Sequence, residues 1–422
     1  MSARKLPVRP DLEQLRHKAK DLLRAARLGD PGAVADFRDF HPNGADPAAA
    51  RLADAQLVLA RSYEAASWPR LVQACELVDA IWRDDSDAVR ALITRHPRLR
   101  DEMTIIRPDS NWGAPMAYAA NLGRDRIVRM LHELGARDIE HAMDRAVLQS
   151  QVSTAALLHE LMGRSIPPRT ALDGAAYTLS AAGTAFLFRV GMQLQDEHGE
   201  CRAPVDVVLE TDSRKPTAKH EILAMYEQHG FTFPDTPTMA LHRGRIDLLE
   251  AHLARDPGLL TRTFPHAEIY PPALGCHDEI LATHGTPLAG TTLLHMCADY
   301  DEFEIAEWLL ARGADPNARA SVDAEGFGGH TAIFSTVVSQ PAFWMNYGHR
   351  ELDARFTKLF LDHGAEVNVR ASLRKQLHPG YDEHALHEYR DVSPLSWGRR
   401  FHRKEFVNGA ALALIEAKGG RE

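Results

Sequence analysis

The sequence predicts an all-α fold, built as a solenoid of repeated helical hairpins. Segments with apolar residues at helical spacing recur along the chain, and each is followed by glycine. A short helix, a polar turn and an amphipathic helix that ends in Arg-x-Pro-x-Leu occur twice, at Ala80–Arg100 and Thr238–Leu260. Only 7% of the residues are aromatic, and the abundant alanine suits closely packed helices. A fixed supersecondary unit that repeats in this way indicates a repeat architecture.

Composition and charge restrict the classes of partner. The chain has 422 residues, with 49 Lys and Arg against 58 Asp and Glu, so its net charge is −9. An acidic chain lacks the positive surface that phosphate backbones require, so we expect no nucleic-acid partner. The charged N-terminal sequence predicts no signal peptide, and no apolar run approaches the length of a membrane span. The widely spaced cysteines indicate reduced thiols and a cytoplasmic location; they are Cys75, Cys201, Cys276 and Cys297.

Residues 1–78 differ from the rest of the chain and predict an N-terminal helical cap. The first predicted helix has apolar residues at helical spacing, and Gly29 with Pro31 ends it. One or two further helices follow before the repeats begin at residue 79. Because a solenoid needs a terminal unit with a polar outer face, we interpret this region as that unit.

The repeated helices end at glycines that are unevenly spaced. These glycines stand at positions 135, 163, 191, 230, 313, 364 and 419, so the successive differences are 28, 28, 39, 83, 51 and 55 residues. Glycine after a helix indicates a left-handed residue that terminates it. The large differences therefore indicate insertions between the C-terminal units.

The most regular unit is Gly290–Arg319. Thr292 is placed to cap a short first helix, and His295 follows three residues later. Ile305, Trp308 and Leu309 then form an apolar stripe, and a Gly-Ala-Asp segment ends the unit. This unit resembles the ankyrin repeat, whose length is about 33 residues. The whole chain resembles bacterial ankyrin-repeat proteins in which a helical segment precedes the repeats.

The resemblance implies an ankyrin-type solenoid in three parts. Residues 1–78 are the cap, residues 79–260 are degenerate ankyrin-like repeats, and residues 261–422 are ankyrin repeats with long loop insertions. In ankyrin repeats the histidine at the position of His295 makes a structural hydrogen bond within and between units. We expect His330, at the base of a connector, to satisfy a turn in a similar way.

Three long connectors predict the position of the binding face. They are residues 261–289, 320–329 and 371–391, and in a regular stack they emerge on the same side as neighbours. Long ordered loops are usually functional, so we place the binding face here. Residues 339–352 form a further insertion with an aromatic cluster, which predicts either a packed cover, the interpretation we favour, or an interaction patch. Aromatic residues dominate interface energetics, and the predicted binding residues are Tyr270, His277, Asp278, Phe327, His330, Trp344, Tyr347, Tyr381 and Tyr389.

An alternative hypothesis places a metal or small-molecule site in these loops. Of the 22 histidines, 11 lie between His266 and His402. Thiolate, imidazole and carboxylate together suit zinc or iron. The candidate ligands in this interpretation are Cys276, His277, Asp278, His284, His295 and His330.

No recognised catalytic motif accompanies these residues. The sequence contains no GxSxG elbow, no phosphate-binding loop and no HExxH pair. The glycines of Gly326–His330 precede a short helix, so they predict a tight turn rather than a phosphate cradle. The first hypothesis is therefore a non-catalytic cytosolic scaffold, without a cofactor, that binds another protein through its concave face and long C-terminal loops. The second is an enzyme or a small-molecule or metal-binding protein with a His/Asp-rich site within residues 261–400.

Overall fold

The computed structural model describes residues 4–106, 110–196, 198–278, 284–340, 353–377 and 385–422. The chain divides into two compact units, Met1–Ala171 (unit 1) and Leu172–Glu422 (unit 2). The described residues are mostly helical, so the predicted all-α fold is confirmed. The predicted division at residues 78 and 260 follows repeat character rather than compactness, and it stays a prediction.

Unit 1 contains nine complete helices within its described residues. They are α1 (Leu12–Arg27), α2 (Pro31–Phe40), α3 (Leu52–Ser62), α4 (Trp68–Trp82), α5 (Ser86–Arg95), α6 (Pro115–Asn121), α7 (Asp125–Glu133), α8 (Ile139–Leu148) and α9 (Val152–Leu161). Helices α1, α2 and α3 pack around a small core that includes Phe37 and Val58. Helix α6 packs against α7 and α8.

Helix α10 (Thr170–Tyr177) spans the division, and unit 2 follows it. The helices of unit 2 are α11 (Ala181–Arg189), α12 (Val205–Glu210), α13 (Pro216–Gln228), α14 (Pro237–His242), α15 (Ile246–Arg255), α16 (His266–Ile269), α17 (Leu293–Tyr300), α18 (Phe303–Ala311), α19 (Ala332–Val337), α20 (Arg355–Asp362), α21 (Pro394–Arg400) and α22 (Gly409–Ala417). Strand β1 (Ala371–Lys375) pairs antiparallel with β2 (His387–Val392).

The last four helical pairs of unit 2 carry the candidate site. Each has a short first helix and a second helix, and the pairs are α14 with α15, α17 with α18, α19 with α20, and α21 with α22. Neighbouring first helices pack together, as α17 does with α19 and α19 with α21. This arrangement sets the long connectors of successive pairs beside one another.

The predicted helix-ending glycines have the backbone conformation that glycine favours. All seven have positive φ, between 68° at Gly163 and 105° at Gly191. A side chain would be strained in this left-handed region, so glycine stops each helix at little cost. The two Arg-x-Pro-x-Leu segments form matching 3₁₀ turns, Pro97–Arg100 and Pro257–Leu260. The helix ends that these glycines predict are therefore confirmed.

Candidate binding site

The three long connectors meet in one cleft of about 470 Å³, which we name the connector cleft. Each connector supplies part of its wall, so the prediction that they are neighbours is confirmed. The lining residues are Thr263, Pro265, His266, Pro287, Ala289, Gly290, Ser321, Val322, Asp323, Phe327, Gly328, His330, Leu373 and Arg374. The cleft thus combines apolar side chains with charged and imidazole groups.

Backbone hydrogen bonds hold the connectors side by side. The N–H of Ser321 donates to the carbonyl oxygen of Gly290 at 2.8 Å, which joins the first connector to the second. The N–H of Gly328 donates to the carbonyl oxygen of Ser372 at 2.6 Å, which joins the second to β1 in the third. Because these bonds use backbone groups, they fix the connectors whatever side chains face the cleft.

A tight turn shapes the middle connector. The Asp323 carboxylate accepts hydrogen bonds from the N–H groups of Phe327 and Glu325, both at 2.9 Å. These bonds, that of Phe327 above all, lower the pKa of Asp323. Gly328 has φ of +118°, and a Cβ there would lie 2.0 Å from the carbonyl oxygen of Ser321. The expected turn is confirmed, and glycine is required for it.

Phe327 lies beneath a charged layer instead of facing a partner. Its side chain is buried, with the guanidinium of Arg374 4.9 Å and that of Arg390 4.2 Å from the ring centroid. Arg374 also pairs with Asp323 at 2.8 Å and with Glu325. The prediction of Phe327 as an exposed contact is therefore corrected: its ring supports the arginines at the cleft.

His295 and His330 link the second and third of these helical pairs. His295 Nδ1 lies 2.9 Å from the Thr292 hydroxyl, and its Nε2–H donates to the carbonyl oxygen of His330 at 3.2 Å. His330 Nε2–H donates in turn to the carbonyl oxygen of Pro287 at 3.0 Å. Burial lowers the pKa of His295 to about 3 and that of His330 to about 4. Both imidazoles are therefore neutral and structural, as expected. The prediction of His330 as a partner contact is corrected, because its ring is buried.

The family model described as the ankyrin repeat matches residues 289–321, the segment that holds Thr292 and His295. The chain contains an ankyrin repeat. Similarity extends to a solved structure of the human ASB11 ankyrin repeat domain, covering 72% of this chain and 97% of that one, at 16% identity and a TM-score of 0.27. Because that score is low, the fold assignment rests on the matched repeat and the helical pairs. No curated protein matches the chain.

The ankyrin pattern weakens in the unit that follows the matched repeat. Where that repeat has Thr292 and His295 in a capping box, the next has Thr331 and Phe334. A phenyl ring cannot accept the threonine hydrogen bond, and the Thr331 hydroxyl has no partner within the described residues. This unit is ankyrin-like in helix pairing and diverges in this motif.

Tyr270 is fully buried and belongs to the core of unit 2. Its hydroxyl is hydrogen-bonded to the hydroxyl of Tyr300, which donates to the carbonyl oxygen of Leu209 at 3.1 Å. Burial raises the pKa of Tyr270 above its usual range. The prediction of Tyr270 as a partner contact is corrected, because a partner cannot reach this ring in the described conformation.

Tyr389 is also buried, so its predicted role at the surface is corrected. Its hydroxyl lies 2.6 Å from Nδ1 of His402, and its ring meets the edge of Trp397 at a centroid distance of 4.9 Å. It lies on β2, opposite Leu373 of β1. Tyr389 therefore fastens the third connector to α21.

His277 and Asp278 are exposed beside the connector cleft. His277 Nδ1 lies 2.7 Å from a carboxylate oxygen of Glu210, and its backbone N–H donates to the other at 2.6 Å. The hydrogen bond with Glu210 raises the pKa of His277. The carbonyl oxygen of His277 accepts from Nε2–H of His266, which lines the cleft. The remaining predicted contacts, Trp344, Tyr347 and Tyr381, lie outside the described residues.

The six candidate metal ligands do not form a metal site in the described part of the chain. No group of three His, Cys, Asp or Glu side chains there could hold a metal ion. Nε2 of both His295 and His330 is committed to a backbone carbonyl. Burial raises the pKa of the Cys276 thiol, so it is not a thiolate. His284 is fully buried, stacked on Tyr270.

Sequence reasoning missed Val322, an exposed aliphatic residue of the cleft. Val322 is 61% exposed and lines the connector cleft. Pro265, Pro287 and Leu373 extend its apolar wall. The sequence offered one weak signal, because Val322 is the lone branched aliphatic residue in a connector rich in glycine and acidic side chains. Its neighbours in sequence do not distinguish it further, because its place at the cleft depends on how the three connectors pack together.

Proposed function

We propose that this protein is an ankyrin-repeat scaffold that binds a protein partner through the connector cleft. The observation that carries the proposal is the convergence of three long connectors on one cleft, with Val322 61% exposed at its wall. Ankyrin repeats generally mediate protein–protein binding, and their insertions often map to the binding face. Apolar walls with charged groups at the edge are typical of a protein interface.

Hydrogen bonds already fix the described wall of the cleft in the absence of a partner, and this supports the proposal. The Asp323 turn and the bonds from Ser321 and Gly328 fix the wall of the cleft. A partner that binds a fixed wall does not have to order it, so less conformational entropy is lost on binding. Arg374 lies above Phe327 with its charge already paired, so it is positioned to make hydrogen bonds at the edge of the interface.

We further propose a cytoplasmic location. The four cysteines are free, which supports a reducing compartment. No described helix is long and apolar enough to cross a membrane. The net charge of −9 supports a protein partner rather than nucleic acid.

A photo-crosslinking side chain at Val322 tests the proposal, with the same side chain at Leu28 as a control. Leu28 is 81% exposed in unit 1 and does not line the cleft. We expect a protein that crosslinks at Val322 and not at Leu28. The purified crosslinked protein must then bind the unmodified chain directly.

Matched variants complete the experiment. Val322→Asp introduces a carboxylate into the interface, and we expect the affinity of the purified partner to fall by about 10-fold or more. Leu28→Asp should leave the affinity unchanged. Both variants should keep the melting temperature of the unmodified protein, because both side chains are exposed. Undiminished affinity in Val322→Asp would refute the connector cleft as the binding site.

A further inference from the structure

The first helices of unit 2 are buried to an extent that a single stack of hairpins does not explain. Every residue of α17 and of α19 is buried. By contrast, Leu249 and His252 are the buried residues of the second helix α15. An ankyrin-type stack leaves its first helices open along one face, and that face is expected to bind partners. Something therefore covers this face in unit 2.

Part of the cover is the chain's own first connector. We name its described residues 265–278 and 284–288 the strap. Its N-terminal half contacts α14, where the Thr238 hydroxyl donates to the carbonyl oxygen of Glu268 at 2.5 Å and His242 Nε2–H donates to that of Ile269 at 3.0 Å. Tyr270 then reaches α17 through Tyr300.

The C-terminal half of the strap contacts the remaining first helices. The N–H of Gly285 donates to the carboxylate of Asp299 in α17 at 3.1 Å. The Thr286 hydroxyl lies 2.9 Å from the carbonyl oxygen of Val338, just after α19. It also accepts the indole N–H of Trp397 in α21 at 3.1 Å. The strap therefore touches the first helix of four successive pairs.

The strap leaves the path of the helical hairpins and returns to it. Its two ends are brought together by Phe264, whose N–H donates to the carbonyl oxygen of Thr291 at 2.8 Å and whose carbonyl oxygen accepts from the N–H of Gly290 at 2.8 Å. The helical pairs on both sides are complete without it. Residues 265–278 and 284–288 therefore lie on the first helices and are not a part of the hairpin path.

One contact shows how closely the strap fits, and another shows where it is weak. A Cβ at Gly285 would lie 2.5 Å from Cα of Ser339 and 2.6 Å from the carbonyl oxygen of Val338, so the backbones are in direct contact. The neighbouring imidazole of His284 is fully buried, and neither of its nitrogens has a hydrogen-bond partner within the described residues. An unsatisfied buried polar group is costly, so His284 favours release of the strap.

We propose that the strap is an internal ligand that occupies the first-helix face of unit 2, and that an extended segment of a partner protein with the same chemistry replaces it. That segment would present a tyrosine hydroxyl to Tyr300. It would also bring a small residue and a threonine against Val338 and Trp397, as Gly285 and Thr286 do. This goes beyond the connector cleft, because it assigns a second surface, now occupied.

A peptide added in trans tests the proposal. The probe is a fluorescein-labelled peptide of residues 263–290, titrated into the full-length protein and followed by fluorescence anisotropy. Gly285→Ala forces a methyl group against the backbone of Ser339 and should displace the strap. Gly409→Ala is the matched control, because nothing lies within 4 Å of a Cβ there.

We expect the peptide to bind Gly285→Ala about 10-fold or more tightly than it binds the unmodified protein or Gly409→Ala. Hydrogen exchange in residues 265–278 should rise in Gly285→Ala while α18 and α20 stay protected. A peptide with Tyr270→Phe should bind more weakly. Equal affinity for all three proteins, or a joint rise of exchange in strap, α18 and α20, would overturn the proposal.

A second variant keeps the test decisive if Gly285→Ala does not fold. Thr286→Val keeps the shape of the side chain and removes the hydroxyl that Val338 and Trp397 share. The same gain in peptide affinity is expected, and its absence would overturn the proposal. The Val322→Asp variant tests the connector cleft separately, because Val322 lies outside the strap.

Discussion

The sequence predicts Tyr270 as a contact with a partner protein, but in the fold it is a core residue. Its ring is fully buried, and its hydroxyl is bonded to Tyr300. The sequence places it among prolines in a long connector, which is the usual setting of an exposed aromatic residue. Its burial depends on contacts with His284 and Tyr300, which lie further along the chain. The residues next to Tyr270 in sequence do not indicate these contacts.

Replacing Tyr270 should therefore reduce stability rather than binding. Tyr270→Phe removes one buried hydroxyl, and we expect a loss of about 1 kcal/mol in the free energy of unfolding. Tyr270→Ala also leaves a cavity, and we expect a loss of about 3–5 kcal/mol. Urea unfolding measures both, with Val322→Ala as the exposed control. Unchanged stability in Tyr270→Ala would show that the ring is not buried.

Buried histidines make the stability of unit 2 depend on pH. Burial lowers the pKa of His295 to about 3 and of His330 to about 4, and it lowers those of His242 and His284 well below the usual value. In the unfolded chain these groups titrate near pH 6.5. Between about pH 6.5 and pH 4, therefore, the unfolded state binds more protons than the folded state. Stability must fall as the pH falls through this range.

We expect each of these histidines to lower the free energy of unfolding by about 1 kcal/mol between pH 6.5 and pH 5.5. His277 acts in the opposite direction, since Glu210 raises its pKa, but it is exposed and screened by solvent. Urea titrations at several pH values measure the slope, and His330→Gln should make it shallower. A free energy that does not change over this range would contradict the buried, neutral state.

At the scale of elements, local pattern explains the helices, and contacts between distant segments explain the site. Gly313 and Gly364 both have positive φ and end their helices. The helical pattern of the residues just before each glycine is enough to predict this. Thr292 and His295 are three residues apart and form their cap locally. Phe327 is different, because Arg374 and Arg390 from the third connector bury it. Sequence reasoning found the connectors and could not assign which side chains face outward.

The turn of the middle connector allows a direct comparison of two glycines. Gly326 and Gly328 both have positive φ, but a Cβ lies free of neighbours at Gly326 and 2.0 Å from the Ser321 carbonyl oxygen at Gly328. Gly326→Ala should cost about 1–2 kcal/mol from the left-handed conformation alone. Gly328→Ala should cost more and should raise hydrogen exchange across residues 321–329. Equal effects of the two variants would contradict the close backbone approach.

At the scale of the whole molecule, the chain divides into two compact units, and both proposed binding surfaces lie in unit 2. There the stack of helical pairs supports two surfaces. The connector cleft is open, and the first-helix face is covered by the strap. Pro265, His266 and Pro287 belong to the strap and also line the cleft, so a partner at the cleft contacts the ends of the strap.

The sequence predicts the stack because a repeat carries its own periodicity, but it does not predict the strap. From the sequence alone, an insertion of this length is expected to be a surface loop. Thr286 shows why this expectation is wrong. Its hydroxyl is hydrogen-bonded to Val338 and Trp397, which lie 52 and 111 residues further along the chain. Contacts over such separations leave no local pattern. The strap covers the first-helix face, which the sequence predicts to bind the partner, and the connector cleft is open.

The central claim is that a protein partner binds the connector cleft. Hydrogen exchange of the full-length chain with and without the purified partner tests it most directly. We predict slower exchange in residues 263–266, 321–329 and 371–375, and no change in α5, α7 or α9 of unit 1. Slower exchange confined to unit 1, with these connector segments unaffected, would contradict the claim.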